Sequence, residues 1–207
     1  MKGDPLDYNV ALYVQGYDAV LARQFSHGWT DVSNPAGTWD PLIAQGEFQQ
    51  QYSAHKNINA ALTPNDTNTA KIISYLQSKR VKPRTFPTTG LDAGIGGLQN
   101  ILAGYQCGTV YKPIYLEAQA AAALAMYVRA GVKPTSLLNG HINDPQTSTS
   151  VASVLLTPEW ITTGNMNSTV IADQFVSAAQ LCTVKYVLGC AAAGIRSRPW
   201  PRPYLDS

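Results

Sequence analysis

Apolar residues recur at helical spacing along much of this chain. Between residues 10 and 25 they are Leu12, Tyr13, Tyr17, Val20, Leu21 and Phe25, and Asp7 or Asn9 stands where a helix start needs a cap. The same period predicts helices over 42–54, entered through Trp39-Asp40-Pro41, over 67–78, and after Asp92, where Ile95, Leu98, Ile101 and Leu102 share a face and Gly104 stops the run. An alanine-rich helix is predicted over 113–131, with Leu116, Ala120, Leu124, Tyr127 and Val128 on its apolar face and Gly131 after it, and a closing helix over 167–182. Between these lie short runs of β-formers at 59–63, 85–88, 108–112 and 151–156, with a further short strand expected around 30–33 and a loop over 137–150. Alternating strands and helices predict an α/β fold with an open, mostly parallel sheet flanked by helices.

Within that order, the stretch 85–113 organises the rest: strand, loop, helix, second strand. The turn at Gly90 delivers Asp92 to the C-terminal end of a strand, over a helix start, where open α/β sheets hold ligands. Asn65-Asp66 repeats the geometry one βα unit earlier, although Asp and Asn also serve as plain helix caps. The Gly-Ile-Gly-Gly run at 94–97 lacks phosphate-loop spacing and is expected to let helix pack closely on sheet.

Composition narrows the chemistry. The 207 residues carry 15 basic and 13 acidic side chains, a formal net charge of +2, with no basic stripe interleaved with aromatics, so no nucleic-acid partner is expected. No apolar run reaches the roughly 20 residues that span a bilayer, and Met-Lys-Gly-Asp is not followed by the apolar stretch of a secretion signal. His27, His55 and His141 are not spaced as metal ligands, and no nucleophile elbow or Cys-His arrangement appears, so neither metal, cofactor nor catalytic residue is assigned. Asp66 and Asp92 could form an acid–base pair, but a reversible binding role suits them better. Residues 183–207 break the pattern. The segment TVKYVLGC only accidentally resembles a lipoprotein cleavage box, and RSRPWPRPYLDS is too rich in proline for helix or inner strand, so an atypical, disordered tail is expected. Cys107 and Cys182 would close a long loop if paired, worth about 3–5 kcal/mol in the chain-entropy model; two buried thiols explain them equally well.

Taken together, GDPLDYN, WDP, TPND, TTGLDA and GTVYKP, in this order, resemble the C-terminal half of xylose-type periplasmic monosaccharide-binding proteins, over residues 3–182. The resemblance implies a type I periplasmic-binding lobe, shortened at its N-terminus. Residues 1–111 would form C-terminal-lobe βα units, 112–150 the hinge crossing and a helix of the other lobe, and 151–182 the return strand and closing helix. It implies sugar ligands at Asn9, Trp39, Asn65, Asp92 and Lys112, with Asp66 as a cap or support, and Trp39 stacking on the ring. It also favours a Cys107–Cys182 bridge with Cys190 free. Two departures stand out: the strand expected at the centre of the sheet, ahead of residue 1, is missing, and Leu91 stands where relatives often have Gln.

The implied role is the solute-binding component of an ABC importer for a pentose such as xylose or a related aldose. Its partners would be the sugar and the transporter permease. Its location would be periplasmic or extracellular, with a lipid anchor in some relatives. Self-association of the shortened form is expected from unpaired strand edges. The alternative is the effector domain of a sugar-responsive transcription regulator, which would need a DNA-binding headpiece. An enzyme on a flavodoxin-like half lacks residues beyond the two aspartates.

Overall fold

The computed structural model describes residues 1–32, 35–144 and 147–196. The chain forms two compact units, the first comprising Met1–Val110 and the chain from Trp160 on, the second Tyr111–Glu159. The first contains α1 (Tyr8–Phe25), α2 (Pro41–Ala54), α3 (Asp66–Ser78) and α4 (Ile95–Leu102). Strand β1 (Thr109–Tyr111) leads out of it and β4 (Glu159–Ile161) leads back, and the two pair as a two-stranded sheet. Helices α1 to α3 begin where the sequence predicts because their caps are met. Asp7 accepts from the Asn9 N–H, Asp40 from Leu42 and Ile43 with Pro41 in the first turn, and Asn65 from Asn68.

The parallel sheet is carried by short segments. Ala61 pairs with Thr88 and Leu91 with Val110, both in parallel. The Ala61 N–H donates to the Pro87 carbonyl at 2.9 Å, Cys107 to Thr88 at 2.8 Å and Asp92 to Val110 at 2.8 Å. Under this layer α2 and α3 bury Phe48, Ile72 and Leu76 with Phe86. The Phe48, Tyr52, Tyr75 and Phe86 rings meet edge-on or stacked at 5.5–6.1 Å. The strand expected over 59–63 is thus a single bridge, and residues 30–32 form no strand; residue 33 lies outside the described residues.

Several expectations need correction. Within 137–150, predicted as loop, Gly140–Asn143 (β2) pairs antiparallel with Ser150–Ser153 (β3), in the register Gly140 to Ser153. The second unit also holds α5 (Ile114–Arg129), whose Leu116, Ala120, Leu124 and Tyr127 are half-buried, whereas Val128 is exposed and no residue of the helix is fully buried. The closing helix expected over 167–182 is interrupted: a π turn at Asn167–Ile171 is followed by α6 (Ala178–Leu181), which Ser177 and Gln180 cap reciprocally. Residues 183–196 are ordered, with a 3₁₀ turn at Val184–Tyr186, α7 (Val187–Ala192) and a buried Ile195; the rest of the predicted tail lies outside the described residues. Cys182 is bridged to Cys190, 5.8 Å apart between Cα atoms, and Cys107 is free and exposed. The turn between α6 and α7 brings the two sulfurs together across eight residues, and the Cys107–Cys182 pairing does not form.

One buried group ties the layer together. The Asp66 carboxylate, 5% exposed, accepts from the Gly94 N–H at 2.9 Å, Gln106 Nε2 at 2.8 Å and Thr109 Oγ1 at 3.1 Å. A Cβ on Gly97 would overlap it, so Gly97 makes room for a carboxylate rather than for close helix–sheet packing alone. Gly96, next along the same helix, has nothing within 4 Å of such a Cβ. We therefore expect Gly97→Ala to cost about 1–3 kcal/mol in urea unfolding, while Gly96→Ala is neutral or stabilises by up to about 1 kcal/mol. Equal effects of the two substitutions would contradict this packing.

Candidate functional site

Four of the five predicted ligand residues are strung on one line of hydrogen bonds within the first unit. Asn9 lies in the first turn of α1 and donates its N–H to Asp7 Oδ1 at 2.9 Å. The other Asp7 oxygen accepts from Trp39 Nε1 at 3.2 Å, and the indole ring, half-buried, lies over Gly3. The carbonyl of the preceding residue, Thr38, accepts from Asn68 Nδ2 at 2.9 Å, and Asn68 is fully buried in the first turn of α3. The Asn68 N–H donates to Asn65 Oδ1 at 2.9 Å, and Thr67 Oγ1 donates to the same oxygen at 3.1 Å. The Asp66 N–H then donates to the Leu91 carbonyl at 3.0 Å, which brings Asp92 alongside.

Asp92 is exposed and has φ of +96°, followed by Ala93 at +50°. Side-chain-bearing residues rarely adopt these angles, at a cost of about 1–3 kcal/mol each. The surrounding bonds enforce them: Leu91 is fixed from the Asp66 side, the Asp92 N–H by Val110, and the Ala93 N–H by Thr109 Oγ1 at 3.2 Å. Backbone strain is thus enforced from both sides at an exposed carboxylate on a strand end. A second knot holds the same edge: Thr69 Oγ1 donates to the Thr89 carbonyl at 2.7 Å, and Thr63 Oγ1 donates to it as well.

Lys112 belongs to the second unit, so it is not among the residues this line joins. Asn65 proves to be a cap as well as a candidate ligand, with its Oδ1 committed to the helix start. Asp7, Asn68, Gln106 and Thr109 escaped the sequence reading as positioning residues. Asp7 alone left a signal, lying two residues ahead of Asn9 at a helix start; the others act through burial.

Burial pushes the Asp66 carboxyl up to about 6, against the opposing hydrogen bonds from Gln106, Thr109 and Gly94, and the Asp92 charge adds to the rise. Individually, the exposed Asp92 carboxylate and the Asn65 amide can hydrogen-bond hydroxyls, and the Trp39 indole can lie against an apolar ring face. Among the described residues no group of three or more His, Cys, Asp or Glu could hold a metal ion. No described helix is long and apolar enough to cross a membrane.

Comparison with known proteins places the chain among periplasmic binding proteins. The model of the periplasmic binding protein domain matches residues 1–133. The D-xylose-binding periplasmic protein of Escherichia coli is 32% identical over 186 residues, covering 87% of this chain and 54% of that protein. Its counterpart in Haemophilus influenzae is 29% identical, covering 84% and 52%. Among solved structures, the carbohydrate transporter solute binding protein of Chloroflexus aurantiacus in complex with D-glucose superposes with a TM-score of 0.74 at 20% identity, covering 86% of this chain and 59% of that one. The solute binding protein of Clostridium phytofermentans with bound β-D-glucose gives 0.70 at 18%, covering 87% and 59%. The chain spans about half the length of the curated relatives it matches.

The raised carboxyl value sets a pH signature. Because the folded value of about 6 lies above the ordinary 3.8, folding takes up a proton between them. Asp66's contribution is therefore fully present below the ordinary value and is lost as pH rises through about 6. Urea unfolding at about pH 4 and pH 7 should show the native chain losing about 1–3 kcal/mol relative to Asp66→Asn over that interval. A difference that stays constant with pH would contradict the burial of an ionisable group there.

Proposed function

The chain belongs to the periplasmic binding protein family, and from that premise we propose that it binds a monosaccharide reversibly at the strand-end site, a pentose such as xylose or a related aldose. The observation that carries the reading is the strained, exposed Asp92 joined through Asp66 and Leu91 to Asn65, on the same line of bonds as Trp39 and Asn9. Asp92 would accept from two sugar hydroxyls. Asn65 Nδ2 and Asn9 would add donors and acceptors, and Trp39 would lie against the ring. For Lys112, carried by the second unit, the shared motif alone supports a role as donor to a hydroxyl or the ring oxygen. Such a set holds a ligand without nucleophile or leaving group, which fits a solute-binding protein rather than an enzyme.

The relatives support a wider role. In an ABC importer the protein would deliver sugar to the membrane permease from the periplasmic or extracellular side. The first unit would be one lobe of a two-lobed clamp, and residues 112–150 the crossing into the other. The aligned stretch covers only 54% of the Escherichia coli relative, and a clamp draws contacts from both lobes.

One open face gives each hydroxyl bond about 0.5–1.5 kcal/mol net, so binding through one lobe alone forgoes about 4 kcal/mol, roughly a thousandfold in Kd. Calorimetry should therefore find that this chain binds D-xylose at about millimolar Kd or weaker. The chain completed to the length of its relatives should bind far more tightly and lose that binding on Asp92→Ala with its fold intact. Micromolar binding by the chain as it stands, or indifference to Asp92→Ala, would remove this site.

A further inference from the structure

Charge is distributed unevenly along the first unit. Residues 67–91 hold five basic side chains, Lys71, Lys79, Arg80, Lys82 and Arg84, and no acidic one. The rest of the chain holds ten basic and 13 acidic side chains, so a net charge of +2 divides into a +5 segment and a −3 remainder. All five cations are exposed, and none makes an ion pair or side-chain hydrogen bond among the described residues. Lys79 lies over the Tyr75 ring, 5.2 Å from its centroid. Four of the five crowd into the turn after α3, where like charges repel without internal compensation.

That turn also carries arginine where other helices of this chain carry glycine. The Arg80 N–H donates to the Gln77 carbonyl at 2.8 Å and the Val81 N–H to the Leu76 carbonyl at 3.0 Å, the pair of bonds that closes a helix on a left-handed residue. Helices α4, α5 and α7 are followed in this position by Gly104, Gly131 and Gly194, at φ of +77°, +67° and +71°. Helix α3 is followed by Arg80 at +61°. Four residues on, Arg84 is left-handed again at +63°, and its N–H donates to the Gly104 carbonyl at 2.7 Å. A residue with a Cβ is disfavoured here relative to glycine, so both arginines stand where an uncharged residue would make a more stable turn. Stability is given up at the two places where charge is gained.

Asn65 and Asp66 lie at the N-terminal end of α3 and the basic turn at its C-terminal end, about 20 Å away at 1.5 Å per residue. A partner at the turn therefore leaves the strand-end residues uncovered. We propose that the turn after α3 is a docking surface for an anionic membrane face, whose lipid phosphates meet Lys79, Arg80, Lys82 and Arg84. Charge complementarity selects this occupant. Recognition of a single phosphate or an acidic peptide calls for side chains fixed by hydrogen bonds in a cradle, and none of these cations is so fixed. A surface of many like charges needs only their sum, about fivefold in affinity for each Lys or Arg near it. The surface is independent of sugar binding.

The test mixes the full chain with phosphatidylcholine vesicles containing one-third phosphatidylglycerol, and with phosphatidylcholine vesicles alone, and measures the bound fraction by sedimentation. Binding should require the anionic lipid and weaken as salt rises from about 50 to about 200 mM, because the Debye length shrinks. Arg80→Gly should weaken it about fivefold while raising the melting temperature, since glycine suits the left-handed position. Lys82→Gln should weaken it by a similar factor, and decides the matter if Arg80→Gly instead lowers the melting temperature. The exposed Lys133 of the second unit serves as control, and Lys133→Gln should change binding by less than about twofold. Equal binding to neutral vesicles, undiminished binding by Lys82→Gln, or an equal loss on Lys133→Gln would overturn the proposal. Full competition by millimolar inorganic phosphate would overturn it too, by assigning the turn to free phosphate.

Discussion

The buried carboxylate of Asp66 is the constraint on which the strand-end architecture depends. Removed from water, it needs every donor it has, and these come from separate parts of the chain: the turn before α4, Gln106 and β1. Losing one donor would strand a buried, partly ionised group, a larger penalty than the net value of an ordinary hydrogen bond. The three elements are therefore fixed together. Gly90 and Gly97 are part of the same arrangement, since a Cβ on either would overlap the carboxylate.

That rigidity reaches the candidate site through the backbone. The Asp66 N–H pins Leu91 while its side chain pins Gly94, so the strained pair Asp92 and Ala93 is held between two anchored points. Asp92 thereby keeps an exposed carboxylate in a conformation its backbone would not adopt alone. On the other flank, Asp7 both caps α1 and holds the Trp39 indole. Capping groups thus double as supports for the proposed ligand residues, which preorganises them at helix starts.

Much of this was legible in the sequence, and the remainder has identifiable physical reasons. Helices α1, α2 and α3 announced themselves through caps and period. The candidate ligands Asn65 and Asp92 were named from polar residues at strand ends, and the shared family motifs added the candidates Asn9 and Trp39. The β2–β3 hairpin was hidden because Gly140-His-Ile-Asn143 lacks the apolar alternation of a strand. The interruption near Asn167 was hidden because Asn165, whose Oδ1 accepts from the Thr162 N–H and whose carbonyl accepts from Thr169 Oγ1, redirects the local backbone. Asp66 read as a cap because its burial depends on Gln106 and Thr109, about forty residues away, and no local pattern reports such a contact. Cysteine pairing is tertiary in the same sense: the turn into α7 chose Cys190 as the partner of Cys182.

The central claim, that the strand-end residues of the first unit form a sugar-binding face, is tested most directly by mapping amide shifts of the ¹⁵N-labelled chain while D-xylose is titrated into the millimolar range. The account predicts saturable shifts at Asn65, at 90–94 and at the Trp39 indole N–H, with a single dissociation constant, and little change along residues 28–32 and 57–60. Shifts that fail to saturate, or that gather elsewhere while Asp92 and Trp39 stay still, would contradict it.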